Sequence, residues 1–569
     1  MCGIICVVSR PSARPLPLAA DILDDLDRAI AAGTAGNIAE SGRLVSEADA
    51  SLRGESGLGT LIDNIALVSG LVSRVDQLDV LASGAEAQLE SESGLSTREV
   101  ERRSNELIAL RDATWSLRND RLRTAKAVGE LAGKDASASA RNAYLSIQQA
   151  FSALDRMEVR GRDSAGVHVL VWGHGLDATD KRVAPLLAGR LDDTLFTNGS
   201  VRVGAGSRAW SFVYKAAAEI GELGDNTRAM RTTVSNDALL RLLISQPNAR
   251  VSILGHTRWA SVGIISEPNA HPVNSEEVGG NAAAPYMLAA LNGDVDNHAD
   301  IKVRNGLHIA EPITTDAKVI PTVVARKNAA GMPFVDAFRE TVAEFEGSVA
   351  IAVASADEPN SMMLALRGSG QGLYVGIAED RFIVASEPYG VVEETLHYVR
   401  MDGESLADAN NPSSRGQVIA LDGDNAGSLA GMRMLAYDGT SIPLVDSTVS
   451  IAEVTTRDID RGEHKHFLSK EIAEAPLSFR KTLRGKISER NGQLEATLDT
   501  TVLPDDIRAK LTAGTFTRIR VIGQGTAAIA GRSLAQLLRT MVDHRVQVDA
   551  LPATELSGFQ LQLDMTDTL

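Results

Sequence analysis

The first residues constrain this 569-residue chain more than any other stretch. Cys2 and Gly3 precede an apolar run, Ile4 to Val8, which predicts a buried β-strand at the very start of the chain. Once Met1 is removed, Cys2 carries a thiol and a free α-amino group with a pKa of about 7.7 to 8.0, so one residue can supply both nucleophile and base. The alternative is a structural cysteine, because Cys is among the most buried residue types. That interpretation fits Cys6, which alternation places on the face of Ile4 and Val8.

Composition narrows the class of protein. The net charge of -17 argues against a nucleic-acid or anionic-membrane partner, because such binding needs clustered Lys and Arg. Two cysteines exclude a disulfide framework and fit a reducing cytosol. The sequence shows no signal peptide, no apolar run long enough to span a bilayer and no His/Cys cluster at metal-ligand spacing. We therefore expect a cytoplasmic protein that holds neither metal nor cofactor.

A long helical segment follows the first strand. Residues 21 to 134 contain no proline and are rich in Ala, Leu, Glu and Arg, a composition typical of long helices. The residues Leu61, Ile65, Val68, Val72 and Val75 alternate steps of four and three, which predicts one amphipathic stripe. We expect an antiparallel helical hairpin or small bundle at about 11–140, inserted into a surface loop at little entropic cost. A packing or oligomerisation role suits it better than a second active site.

Polar motifs stand at the ends of the predicted elements further along. They are Arg160-Gly161-Arg162-Asp163-Ser164-Ala165-Gly166, Gly255-His256-Thr257-Arg258-Trp259-Ala260-Ser261, Asn269-Ala270-His271-Pro272, Asn292-Gly293-Asp294 and Thr314-Thr315-Asp316. Singly, each has a structural interpretation, such as a core histidine, a hairpin turn or a helix N-cap. Together they offer a guanidinium for a carboxylate, a carboxylate for an ammonium group, and an Asn side chain beside a Gly amide for an oxyanion. These groups could hold the zwitterionic end of an amino acid while its far carbonyl is attacked.

In this order, the Cys-Gly-Ile start and these motifs resemble the class II glutamine amidotransferases, and within them the glutamine:fructose-6-phosphate aminotransferases. The resemblance covers residues 1–10 and about 141–400, and it resumes around His466. It implies an Ntn-hydrolase fold, a four-layer α/β/β/α sandwich over residues 1–455 that contains the helical insertion. It also implies L-glutamine as substrate and a hexose phosphate, fructose 6-phosphate, as the ammonia acceptor that becomes glucosamine 6-phosphate.

The resemblance assigns roles to individual residues. Cys2 would attack the glutamine side-chain amide, releasing ammonia and leaving a thioester that water clears. Asn292 and the Gly293 amide would form the oxyanion hole. Five further residues would bind or border the substrate: Arg258 at its carboxylate, Asp316 at its α-amino group, and Trp259, Ser261 and Arg160 nearby. Two positions depart from the family pattern, since Val262 replaces a histidine and Arg162 replaces a tyrosine.

The C-terminal part contains a second glycine-rich motif. After a linker with helices at 456–500, a predicted strand at 519–522 runs into Gly523-Gln524-Gly525-Thr526 and then a helix. A glycine-rich turn at a helix N-terminus is suited to binding anions. The segment resembles the first βα unit of a SIS (sugar isomerase) domain, with Gly525 and Thr526 at the sugar phosphate and Ala527 in place of a family serine.

This last domain is predicted to be incomplete. Residues 501–569 would form only the start of a doubly wound parallel sheet, with a second strand at 546–550 and a third beginning at 563–569. A parallel sheet cut there would leave its apolar faces uncovered. We expect an N-terminal portion of a longer protein, or one partner of a split one, that forms a homodimer through the SIS part when complete.

Two other functions remain open at this point. One is a glutaminase subunit that serves a different ammonia acceptor. The other is a non-catalytic sensor of glutamine or sugar phosphate, for which Val262 and Ala527 are the main support. The intact nucleophile, oxyanion and charge-binding residues argue against the sensor, and glutaminase turnover would exclude it.

Overall fold

The computed structural model describes residues 2–92, 95–133, 136–203, 209–217, 222–280, 285–484, 486–490, 492–496, 500, 503–542, 544–561 and 564–569. Three predictions touch residues outside this set: removal of Met1, the third strand from Leu563, and the stretches 93–94 and 134–135 of the insertion. The chain forms two compact units. The first comprises Met1–Glu90 and Ser104–His466, and the second comprises Ser91–Arg103 and Phe467–Leu569.

The first unit contains two antiparallel sheets. Its strands are β1 (Gly3–Ser9), β2 (Ser164–Trp172), β3 (Val201–Val203), β4 (Trp210–Ala216), β5 (Arg250–Arg258), β6 (Val273–Asn274), β7 (Met287–Gly293), β8 (Val349–Ser355), β9 (Ser361–Arg367), β10 (Tyr374–Ile377), β11 (Arg381–Ala385), β12 (His397–Arg400), β13 (Gln417–Asp422), β14 (Met432–Ala436), β15 (Ser441–Ile442) and β16 (Val449–Ile451). In the described residues one sheet has the order β16-β12-β10-β11-β1-β5-β2-β4-β3 and the other β15-β14-β13-β9-β8-β7-β6. The N-terminal strand therefore lies in the middle of the larger sheet.

Helices cover the outer faces of both sheets. The helices that lie wholly or partly in this unit are α1 (Ala19–Thr34), α2 (Ile38–Ser51), α3 (Gly54–Leu61), α4 (Ile65–Ser91), α5 (Thr97–Trp115), α6 (Arg123–Ala132), α7 (Ala138–Met157), α8 (Ala184–Leu187), α9 (Asp225–Asn236), α10 (Ala238–Ile244), α11 (His298–Arg304), α12 (Val319–Ala329) and α13 (Phe334–Ala343). The alternation along β1 decides which layer each side chain joins. Ile4, Cys6 and Val8 pack between the two sheets, whereas Ile5 and Val7 face the helical layer formed by α7 and the insertion.

The opposite outer layer consists of α12 and α13. Their side chains pack against the outward face of the smaller sheet, where Val323 and Phe338 join Ile351 of β8 in one buried cluster. The order of layers is thus helix, sheet, sheet, helix. The predicted four-layer α/β/β/α sandwich is confirmed.

The insertion forms a bundle, and one predicted detail of it is wrong. α4 and α5 run antiparallel, joined by ion pairs such as Arg111 with Glu86. However, Ile65 is 81% exposed and Val72 is 41% exposed, while Leu67, Leu71, Val75 and Leu78 face the core. The reason is that apolar residues occur on more than one face of α4 and another face than the predicted one packs, while Leu61 lies in a separate helix, α3, beyond a bend of 102°.

Buried charges attach the insertion to the sandwich. Arg121, in the π-helix Ser116–Leu122, pairs with Asp49 of α2 and with Glu394 of the core, each at 3.2 Å. Thr124 donates to Glu393 at 2.7 Å. Because an unpaired buried charge is costly, these partners fix the position of the insertion on the core.

The second unit contains a parallel βα arrangement. Its described elements are α14 (Phe467–Leu483), β17 (Ile487–Arg490), β18 (Gln493–Ala496), α15 (Asp505–Thr512), β19 (Arg518–Gly523), α16 (Thr526–Met541), β20 (Gln547–Pro552) and α17 (Ala553–Glu555). β19 and β20 pair in parallel across α16, as predicted. The predicted third strand appears in its described part only as a bridge between Arg518 and Thr568.

Among the described residues, no single helix is long and apolar enough to cross a bilayer, and only the bent pair α3 and α4 reaches that length and hydropathy together.

Candidate active site

The predicted nucleophile lies where β1 begins. Because β1 and β5 are antiparallel, Gly3 pairs with Thr257 and the start of β1 lies beside the end of β5. The Trp259 amide donates a hydrogen bond to the Cys2 Sγ at 3.2 Å. Burial raises the pKa of the Cys2 thiol, and this amide opposes the shift by stabilising the thiolate. A nearby base is therefore needed to take the thiol proton near neutral pH.

Asn292, at the end of β7 in the other sheet, reaches across to the nucleophile. Its side chain is fully buried. Its Nδ2 donates to the Cys2 carbonyl oxygen at 3.1 Å and to the Ser386 Oγ at 2.7 Å, and His256 Nε2 lies 3.0 Å from its Oδ1. The structure thus brings Cys2 and Asn292 together, as the sequence predicts.

Gly293 follows Asn292 in a conformation that suits glycine. Its φ is +92°, in the region that favours glycine, and an added Cβ would lie 1.9 Å from the Ser348 carbonyl oxygen. The backbone of β7 therefore approaches β8 too closely at this point for any side chain.

Replacing Gly293 with alanine should lower the free energy of unfolding by more than about 3 kcal/mol, because backbone strain and a backbone clash add together. Gly279→Ala is the matched control, since Gly279 has a φ of +68° but no described atom within 4 Å of an added Cβ. We expect the control to cost about 1 kcal/mol in denaturant unfolding. Equal losses of unfolding free energy in the two variants would show that the contact with Ser348 does not restrain the turn at Gly293.

Arg258 carries a buried positive charge. It is 2% exposed, and its guanidinium donates to the carbonyl oxygens of Val262 and Ile264. It forms no ion pair with a carboxylate within 4.0 Å in the part of the chain that is described, and burial lowers its pKa. A buried guanidinium without a carboxylate is a binding point for an anion, because pairing offsets its desolvation.

Asp316 presents the opposite charge in the same region. It is 4% exposed, and its carboxylate accepts hydrogen bonds from the backbone amides of Val295 at 2.8 Å and Ala317 at 3.0 Å. Burial raises its pKa, and among the described residues no cationic side chain lies within 4.0 Å of it. Arg258 and Asp316 influence each other electrostatically without forming an ion pair. The site thus holds two separated, unneutralised charges of opposite sign.

The other three predicted substrate residues surround this site in different ways. Trp259 is 58% exposed beside Cys2. The Ser261 hydroxyl donates to Asp294 Oδ1 at 2.6 Å, which ties the loop after β5 to the loop after β7. Arg160 pairs with Glu387 instead of presenting a free charge, and its guanidinium also donates to the Ser386 carbonyl oxygen. Arg160 therefore supports the segment behind Asn292.

Residues that sequence reasoning did not select also belong to this region. His256 and His271 stack with ring centroids 4.5 Å apart, and burial lowers the pKa of His256 to about 3, so both rings are neutral. Both lie in motifs quoted above, but a histidine in a motif gives no signal of its contacts. Ser386 directly follows β11 and lies outside the motifs quoted above. Its role is visible only in the structure, through its hydrogen bonds with Asn292 and the Ile4 amide.

Lys215 of β4 was also missed. It is buried, its Nζ has no hydrogen-bond partner within the described ranges, and it lies 5.0 Å from the centroid of the Phe196 ring. Burial lowers its pKa to about 7. Nothing in an alternating strand pattern distinguishes a lysine whose ammonium is buried from one that reaches solvent.

The lowered pKa of Lys215 predicts a pH-dependent stability. The folded protein binds fewer protons than the unfolded chain between pH 7 and the ordinary lysine pKa, so stability rises with pH across this window. Lys215→Met should therefore raise the melting temperature more at pH 6.5 than at pH 9.5. A Lys465→Met control at an exposed position should show no such difference. An equal gain for Lys215→Met at both pH values would mean that its pKa is not lowered.

Gly525 and Thr526 lie in the second unit, exposed at the start of α16. Gly525 has a φ of +56°, a positive value that glycine adopts readily, at the turn from β19 into the helix. Their contact with a sugar phosphate stays a prediction. No group of three or more His, Cys, Asp or Glu side chains in the described ranges is arranged to hold a metal ion.

No family model matches this chain. It is 26% identical over 311 residues to the glutamine–fructose-6-phosphate aminotransferase [isomerizing] of Bacillus cereus, which covers 55% of this chain and 45% of the relative. The enzyme of the same name from Geobacillus kaustophilus is 28% identical over 320 residues, 56% of this chain and 46% of the relative. The chain thus spans about half the length of the curated relatives it matches, and the predicted resemblance to this group is confirmed.

Two solved structures are also similar. A glutamine phosphoribosylpyrophosphate amidotransferase from B. subtilis, complexed with ADP and GMP, matches with a TM-score of 0.31 at 17% identity, over 51% of this chain and 47% of that chain. An allosteric regulatory enzyme of purine biosynthesis matches with a TM-score of 0.29 at 18% identity, over 48% of this chain and 49% of that chain.

Proposed function

We propose that this chain is a glutamine amidotransferase that hydrolyses L-glutamine at Cys2, and that the ammonia passes to a sugar phosphate in the complete protein. The observation that carries the proposal is the pair of buried, separately unneutralised charges on Arg258 and Asp316. A free α-amino acid carries the two complementary charges on one carbon. Its side-chain amide would then extend from the charge pair towards Cys2.

The chemistry follows from the groups around Cys2. After removal of Met1, the Cys2 α-amine takes the thiol proton, and Sγ attacks the carbonyl carbon of the glutamine side-chain amide. Asn292 and the Gly293 amide stabilise the resulting oxyanion. The C–N bond breaks, the amine proton passes to the leaving nitrogen, and ammonia departs. Water then adds to the γ-glutamyl thioester, releasing glutamate and regenerating the thiol.

The acceptor belongs to the proposal as well. Fructose 6-phosphate is the acceptor proposed, supported by the names of the relatives and by the glycine-rich turn before α16. A homodimer of the complete protein and a cytosolic location, where the free thiols of Cys2 and Cys6 stay reduced, are proposed with it. In that setting Gly525 and Thr526 contact the phosphate.

Glutamate release from L-glutamine tests the proposal, measured with and without fructose 6-phosphate on protein whose N-terminus has been confirmed by mass spectrometry. The expected result is turnover that saturates with glutamine and is absent with D-glutamine. Hexosamine formation is assayed on the complete protein, where glutamine turnover without any hexosamine product would redirect the acceptor to another compound. Binding of glutamine without any turnover would contradict the enzyme and favour a sensor.

A further inference from the structure

We propose that Ser386 and His256 are positioning residues that fix the orientation of the Asn292 amide and so aim one of its N–H bonds at the nucleophile. This inference rests on the proposed function, because it concerns the step in which Cys2 attacks glutamine. Neither residue is placed against the substrate. Both act through Asn292.

The side-chain amide of Asn292 has one carbonyl oxygen and two N–H groups, and two of these three groups are held by His256 and Ser386. His256 Nε2 lies 3.0 Å from Oδ1, and one Nδ2–H bond is directed to the Ser386 Oγ at 2.7 Å. Since the amide is planar, two such anchors fix its rotation. The remaining N–H bond then has one direction left, which is towards the Cys2 carbonyl oxygen at 3.1 Å.

The His256 ring can act only as a donor at this contact. Its Nε2 faces two carbonyl oxygens, that of Leu291 at 2.9 Å and that of the Asn292 side chain, so the ring proton must sit on Nε2. The ring is fully buried, and its lowered pKa keeps it neutral through the physiological range. A rotated amide would place its nitrogen against this N–H group and its oxygen towards the developing oxyanion, and both contacts are repulsive.

Ser386 links the amide to the nucleophile strand. Its hydroxyl oxygen also accepts from the Ile4 backbone amide at 2.9 Å, two residues after Cys2. The same oxygen thus sets the distance between β1 and the end of β7. Of the two hydrogen bonds that Asn292 Nδ2 donates, the one to the Cys2 carbonyl oxygen is the longer and lies at the reacting residue. During the reaction this N–H group turns to the oxyanion, while the second N–H group stays bonded to Ser386.

A double-mutant cycle separates positioning from a general structural role. The kcat and KM for glutamine hydrolysis are measured for the wild type, Ser386→Ala, Asn292→Ala and the double variant. Ser386→Ala should lower kcat by about 10- to 100-fold with little change in KM, less than the loss of an oxyanion donor itself. The double variant should be no slower than Asn292→Ala, and Ser386→Thr, which keeps the hydroxyl, should recover most of the rate. Unchanged kcat in Ser386→Ala, or losses that multiply in the double variant, would overturn the inference.

A second pair of variants covers the case in which Ser386→Ala does not fold. His256→Leu removes the donor to Asn292, whereas His256→Gln keeps an N–H group at a similar reach. We expect a large loss of kcat in the Leu variant and a small one in the Gln variant, and equal losses would contradict the inference. A wild type that hydrolyses no glutamine overturns the proposed function and this inference together. If the wild type hydrolyses glutamine and the variants keep its kcat, only this inference is overturned.

Discussion

Replacing Cys2 with alanine is expected to lower glutaminase turnover by at least about 10⁴-fold, because the nucleophile of a covalent mechanism has no substitute. The half-buried side chain makes few contacts, so the melting temperature should change little. Turnover is measured as glutamate release under saturating glutamine. The N-terminus of each variant is checked by mass, since the proposed base is the free amine of residue 2.

Cys6→Ala provides the matched control. Cys6 is fully buried between the sheets, and burial raises its pKa well above the ordinary value, so it is an unreactive core side chain. Its replacement should cost about 1 kcal/mol of stability and leave kcat close to that of the wild type. If Cys2→Ala kept its turnover, or if Cys6→Ala lost turnover while remaining folded, the assignment of the nucleophile would be wrong.

The second large effect concerns the charge pair that is proposed to bind the substrate. Arg258→Gln and Asp316→Asn should each lower kcat/KM for L-glutamine, since each leaves one substrate charge buried without its partner. Such a loss is worth about 2 to 5 kcal/mol, a factor of roughly 30 to 5,000. The wild-type KM should also rise as the pH falls through the raised pKa of Asp316, because only the ionised carboxylate pairs with an ammonium group.

Substrate analogues make this prediction specific. The wild type should prefer L-glutamine strongly over its α-amide, which lacks the carboxylate charge, and Arg258→Gln should lose that preference. Asp316→Asn should lose the preference for L-glutamine over the analogue without an α-amino group. Arg326→Gln, at a half-exposed arginine paired with Glu277, is the control and should keep both preferences. If Arg258→Gln still preferred L-glutamine over its α-amide, the substrate carboxylate would have to bind elsewhere.

Arg258 and Asn292 could be assigned to one site from the sequence, because their motifs together offer the groups that an amino-acid substrate needs and resemble those of a known family. That both strand ends meet could not be derived from the strand pattern alone, since β5 and β7 lie in different sheets. The position of Cys2 at the start of a buried strand followed from the apolar run after it. The inward face of Cys6 followed from the alternation along that strand.

Other features depended on tertiary structure that local patterns do not encode. Ser386 and Asn292 are hydrogen-bonded although they are 94 residues apart and lie at the ends of strands in different sheets. In α4 apolar residues lie on more than one face of the helix, so the sequence does not show which face packs against the core. The ion pair of Arg160 with Glu387 likewise depends on how the segment after β11 returns to the end of α7.

The central claim is that Cys2 is an N-terminal nucleophile directed by the site at glutamine. Its most direct test is intact-mass analysis after incubation with 6-diazo-5-oxonorleucine, followed by peptide mapping of the adduct. We predict loss of Met1 and a single adduct on Cys2 that L-glutamine prevents. A retained Met1, or an adduct absent from Cys2, would contradict the account.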